Sequence, residues 1–132
     1  MKYMLDTDTC IYVINKRPQN VFDRFRQERV GNIGLSSITL SELRYGAEKS
    51  PNPGKNLSAL EDFITPLEVL EYGEQEAGEY GRICSYLESR GEPIGSMDML
   101  IAAHAKSIGV ILVTNNSREF KKVPGLPIET WT

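Results

Sequence analysis

Acidic residues at separated points of this chain are the ones able to do chemistry together. Asp6 and Asp8 close the opening apolar stretch KYMLDTDTC, Glu42 lies in SSITLSELRYGAEK and Asp98 in GSMDMLIAAHA. Each reads as sitting where a strand or helix begins or ends. Carboxylates gathered at one edge of a sheet repel one another unless a cation lies between them, and a buried carboxylate without a partner either neutralises or finds a cation. Hard oxygen donors of this kind suit Mg2+ or Mn2+, often alongside water and substrate phosphate. Cys10, Cys84 and the single histidine, His104, make no tetrahedral set, which argues against zinc.

Each acid also has a purely structural reading. Asp6 or Asp8 could cap a helix starting near Thr9. Glu42 fits a capping box with Thr39, and Asp98 fits a first-turn acid behind Ser96 as the cap. The set weakens these readings. Asp6 belongs to an apolar strand, and Asp98 is flanked by Met97, Met99, Leu100 and Ile101, so it is a charge at the edge of a buried face. His104 reads as a packing or surface residue.

The elements that must position these residues alternate between strand and helix. Strands are expected at 2–6, 31–36, 67–71, 110–113 and 127–131. Helices are expected at 9–15, 20–28, 39–49, 55–64, 73–90 and 96–107. SPNPG at 50–54 reads as a stop and NNSREF as a loop, while Gly91 and Gly109 read as helix ends. VILV at 110–113 is apolar without alternation, the signature of a strand covered on both faces. The pattern predicts an α/β fold: a small, mainly parallel β-sheet flanked by helices on both faces, in one domain spanning 1–132. Ligands of such sheets bind beyond the carboxyl ends of the strands. Connectivity alone puts Asp6, Glu42 and Asn116 (just after Thr114) at that edge; Asp98 must be brought there by the tilt of its helix.

Composition bounds the partners. A net charge of −3 is not the footprint of a general nucleic-acid binder, so any such activity must be local. Arg44, Lys49, Arg82, Arg90 and Arg118 are candidates to hold phosphates, or else solvated surface charges. No run is apolar enough for a membrane span, the N-terminus does not read as a signal peptide, and two unpatterned cysteines suit a reducing cytoplasm.

Four motifs in order, M-L-D-T-D-T at 4–9, S-S-I-T-L-S-E-L-x-Y-G-A at 36–47, Asp98 followed by M-L-I-A-A-H-A, and L-V-T-N-N-x-R-E-F at 112–120, resemble the PIN-domain ribonucleases, and among them the VapC toxins of bacterial toxin–antitoxin pairs. The resemblance spans nearly the whole chain. It implies a Mg2+- or Mn2+-dependent endoribonuclease, with Asp6, Glu42, Asp98 and Asn116 as catalytic residues and Asp6 and Asp98 at the metal. It further implies an RNA substrate, such as the initiator tRNA anticodon stem-loop, a VapB-type antitoxin and a homodimer. Two positions depart from the pattern: Asp8 stands where Asn or Ser is usual, and Asn116 where many relatives carry a fourth acid.

Two rival readings stand beside this one. The D-x-D segment at 6–8 resembles a haloacid-dehalogenase-type phosphatase using Asp6, although the late acidic pair of such enzymes is missing. A PIN-like module that binds RNA or a partner without cutting is the other.

Overall fold

The structure, a computed structural model, describes residues 1–132. Five strands form one sheet: β1 (Tyr3–Leu5), β2 (Ile33–Ser36), β3 (Glu68–Leu70), β4 (Ile111–Val113) and β5 (Ile128–Glu129). Their order across the sheet is β3-β2-β1-β4-β5, and every pairing is parallel. The mainly parallel expectation therefore holds without an antiparallel exception. Seven helices cover it: α1 (Thr7–Asn15), α2 (Gln19–Gln27), α3 (Ser37–Glu48), α4 (Pro53–Ile64), α5 (Glu74–Ser89), α6 (Ser96–Ile108) and the short α7 (Ser117–Phe120). No helix is long and apolar enough to cross a membrane.

The strand side chains explain the layering. Successive residues of a strand point to opposite faces. Met4 and Leu112 enter the core beneath α5 and α6, with Ile83, Leu87, Ile101 and Phe120. Tyr3, Leu5 and Val113 point the other way, into the core made with α1 to α4 by Val13, Val21, Leu43 and Leu60. Both faces are dry, so the central strands are apolar throughout and do not alternate with polar residues. Gly34 lets the edges close up: a Cβ there would meet the Met1 side chain and lie 2.8 Å from the Glu68 carbonyl oxygen of the paired strand.

Three local expectations are corrected. NNSREF is not all loop, because Ser117–Phe120 makes one helical turn that buries Phe120. The break at 50–54 is shorter than expected, since α4 starts at Pro53: Asn52 caps it by accepting from the Lys55 N–H, and proline suits the first turn, where its missing N–H costs nothing. Helix α3 begins at Ser37, not at Thr39, with the Ser36 hydroxyl accepting from the Ile38 N–H.

Candidate active site

The carboxyl ends of β1 and β4 lie side by side, with Leu5 paired to Val113. The chain leaves β1 through Asp6, whose N–H donates to the Val113 carbonyl at 3.0 Å. Asp6 then caps α1, its Oδ1 accepting from the Thr9 N–H at 2.9 Å. The capping reading of Asp6 was thus correct, and it coexists with a place in the cleft. β4 leaves through Thr114, whose Oγ1 accepts from the Asn116 N–H at 2.8 Å.

Asp6, Thr7, Asp8, Glu42, Asp98 and Asn116 line one cleft of about 190 Å³, with no apolar residue and no lysine or arginine in the lining. All four residues expected to be catalytic are therefore brought together, including Asp98, which the first turn of α6 delivers to the edge. Asp98 Oδ2 accepts from Asn116 Nδ2 at 3.4 Å. Its helix starts after Gly95, not behind Ser96, and no side chain caps it. Glu42 does not open its helix. It is the sixth residue of α3, and in place of a capping box with Thr39 its Oε1 accepts from the Thr7 hydroxyl at 2.6 Å. Thr39 is buried, with a hydroxyl that has no partner. Thr7 is the cleft residue that sequence reasoning missed, and its only signal was a hydroxyl directly after the acid that ends β1.

The cleft's electrostatics follow from this crowding. Burial pushes the Asp6 carboxyl above its ordinary range; hydrogen bonds from Thr114 and Thr9 oppose the rise and the charge of Asp8 adds to it. Asp98 is likewise raised, first by burial and then by Asp6, Glu42, Asp8 and Glu119. No cation of the chain lines the cleft to relieve that repulsion.

The donors are carboxylate, hydroxyl and amide oxygens, a set suited to a hard divalent cation. Cys10 is fully buried and does not line the cleft, and His104 is turned to Ser36 Oγ at 2.7 Å, so no soft or imidazole ligand competes. No group of three or more His, Cys, Asp or Glu side chains is drawn together closely enough to ligate one ion on its own. An ion that takes one or two carboxylates and completes its shell with water or phosphate oxygens, as Mg2+ does, fits the oxygen donors that Asp6, Glu42 and Asp98 offer. Asp6 and Asp98 are the two lining acids whose charged forms the surroundings disfavour, and either could serve such an ion.

The remaining candidates fall outside the cleft. Arg44 is paired with Glu61, Arg82 with Glu79 and Arg90 with Glu92. Lys49 lies over the Tyr45 ring, and Arg118 is not among the lining residues. Glu119 is near enough to raise Asp98 but is tied to Lys122. An apolar groove of about 250 Å³ runs between α1, α3 and α4, lined by Ile11, Ile14, Leu43, Ala47 and Leu60, and it shares Glu42 with the cleft.

The chain is similar to known proteins along nearly its whole length. Residues 3–126 match the family model described as PIN domain. The chain is 48% identical over 131 residues to the tRNA(fMet)-specific endonuclease VapC of Salmonella typhimurium, covering 99% of this chain and 98% of that protein. It is equally identical, over the same length and coverage, to ribonuclease VapC2 of Haemophilus influenzae. The crystal structure of DNA-bound VapBC from Salmonella typhimurium superposes with a TM-score of 0.94 at 48% identity, covering 100% of this chain and 99% of that one.

Proposed function

The chain belongs to the PIN-domain family, and from that premise we propose that it is a divalent-metal-dependent endoribonuclease, the toxin of a VapBC-type pair. The observation that carries this reading is the all-polar cleft in which Asp6, Glu42, Asp98 and Asn116 meet with no cation among them.

Asp6 and Asp98 would hold the ion. When bound, Mg2+ or Mn2+ supplies polarisation of the scissile phosphate and acidification of water. The chain's own residues do the rest. Thr7 fixes Glu42 through Oε1, which leaves Oε2 to orient the attacking water and take its proton. Asn116 steadies Asp98 through its amide, and Thr114 fixes the Asn116 backbone. Water adds to phosphorus as its proton passes to Glu42, the bond to the 3′ oxygen breaks, and that oxygen leaves as a hydroxyl by taking a proton from solvent water. The products are a 5′-phosphate and a 3′-hydroxyl.

The substrate reading follows the relatives named as tRNA(fMet)-specific endonucleases: an exposed loop of initiator tRNA, whose unpaired bases can splay into a cleft. The apolar groove beside Glu42 suits a helix of a VapB-type antitoxin, which could reach an arginine into the cleft and pair it with the acids. A homodimer is the assembly in which we expect the enzyme to work. Incubation with initiator tRNA and with total RNA, with Mg2+ or Mn2+ present, followed by mapping of the cut ends, tests the reading. The expected result is one cut in the anticodon stem-loop that disappears in Asp6→Asn. Cleavage of other RNAs alone rejects the substrate, and binding without cleavage rejects the activity.

A further inference from the structure

An acidic enzyme that cuts a polyanion has to hold it somewhere other than the cleft. Residues 16–29 carry Lys16, Arg17, Arg24, Arg26 and Arg29 against only Asp23 and Glu28, in a chain whose net charge is −3. Of these cations, Arg24 is committed to Glu28 and Glu129, whereas Lys16, Arg17, Arg26 and Arg29 take part in no ion pair. Lys16, Arg17 and Arg26 are exposed. Lys16 Nζ and the Arg26 guanidinium both lie against the Phe22 ring, at 5.8 and 5.5 Å, so two cations are gathered on one aromatic platform. Asp62 borders the same hollow as Lys16 but makes no ion pair with it.

This corner is connected to the cleft. α1 starts in the cleft at Thr7 and ends at Lys16, a span of about 13 Å for its nine residues. Arg17 shares an open hollow with Ile11, Tyr12, Asn15 and Pro18. The Tyr12 hydroxyl in turn accepts from Asn115 Nδ2 at 3.1 Å, next to Asn116 of the cleft. The backbone adds an independent sign. Lys16 sits at φ 58°, ψ 32°, the left-handed conformation that a helix end normally gives to glycine or asparagine. Glycine would hold that conformation with less strain, so the turn itself does not call for a lysine.

We infer that the corner formed by the end of α1 and by α2, with Lys16, Arg17 and Arg26, docks the phosphate backbone of the RNA whose scissile bond lies in the cleft. The inference rests on the ribonuclease reading and adds where the substrate is held. Single strands lose about 0.7 of salt slope for each phosphate contact removed, so three lost contacts lower the slope of log affinity against log salt by roughly 2.

The test compares the parent enzyme with the triple variant Lys16→Gly, Arg17→Gln, Arg26→Gln and with a charge-matched control, Lys2→Gln, Lys55→Gln, Lys121→Gln. Cleavage of an RNA hairpin gives KM and kcat. Binding of the same fluorescent hairpin to each protein in an Asp98→Asn background gives the salt slope. The expected result is a KM raised about tenfold or more with kcat unchanged, a salt slope shallower by about 2, and a control that behaves as the parent. Lys16→Gly alone should melt no lower than the parent while binding RNA more weakly, the opposite of what a structural lysine would give. An unchanged KM and slope in the triple variant, or equal weakening in the control, overturns the proposal. So does a variant that loses inhibition by the antitoxin but not RNA affinity, which would make the corner a protein-docking face. A parent that cuts no RNA overturns the ribonuclease reading itself, and the two failures are thereby distinguishable.

Discussion

Asp6 and Glu76 are both shielded from solvent, 5% and 8% exposed, but Asp6 lies deeper, and their surroundings push them in opposite directions. Glu76, in α5, is held below its ordinary range, first by the Gly73 N–H at 2.8 Å and also by the Ser107 hydroxyl at 2.9 Å and by His104. His104 is buried in the same region, where it bonds Ser36 and meets the Tyr72 ring edge-on. Every group there answers another. At the carboxyl edge of the sheet, Asp6 and Asp98 are raised, crowded by further acids and lined by no cation. One region spends its polar groups on holding the fold, while the other keeps its charges open for something that is not part of the chain.

The sharpest way to break the contrast is to remove an open charge. Asp98→Asn should lower RNA cleavage by about a thousandfold, equivalent to about 4 kcal/mol of transition-state stabilisation, without lowering the melting temperature, because it relieves repulsion. A melting temperature several degrees lower, with cleavage kept, would place Asp98 among the structural acids. Next in size is the ion itself. Mg2+ at a hundred times its dissociation constant should stabilise the protein by about 2.7 kcal/mol. Calorimetry should show this gain in the parent and lose it in Asp98→Asn, and chelation should stop cleavage while circular dichroism shows the fold intact.

Glu76→Ala tests the other side. It strips a buried cap and leaves Gly73 and Ser107 without their acceptor, at a cost of about 1–3 kcal/mol, while kcat below the melting transition stays within about twofold. The same contrast has a pH signature. Glu76 and His104 are lowered from 4.5 and 6.5, so their contribution to stability is full above those values and is lost as pH falls through the lower folded ones. Asp6 and Asp98 are raised from 3.8, so their contribution is present below that value and is lost as pH rises through the folded ones. Melting curves should therefore show the Mg2+ gain shrinking as the cleft protonates, whereas Glu76→Ala flattens the decline on the acid side. The smallest expected effect is from Asn116→Asp. Adding a fourth acid should tighten metal binding by roughly tenfold, about 1.4 kcal/mol, and lower the metal-free melting temperature, both measurable by titration.

Much of this was legible in the residues. Apolar runs without alternation marked the buried parallel strands, and Asp6 and Asp98 declared themselves by standing at element ends, whereas Glu42 lies inside its helix. What was not legible depended on partners distant in sequence. Thr39-x-x-Glu42 imitated a capping box, but Ser36 caps the helix three residues earlier and Thr7, 35 residues from Glu42, donates to its carboxylate. His104 read as packing or surface, because Ser36 lies 68 residues away. Asn52 and Pro53 looked like a stop and are instead a cap and first turn, since the same residue types serve both.

The most direct test of the account is anomalous diffraction from crystals soaked in Mn2+. The account predicts a peak between the carboxylates of Asp6 and Asp98, absent in Asp98→Asn. A strong Mn2+ site elsewhere, with the cleft empty in an enzyme that still cuts RNA, would contradict it.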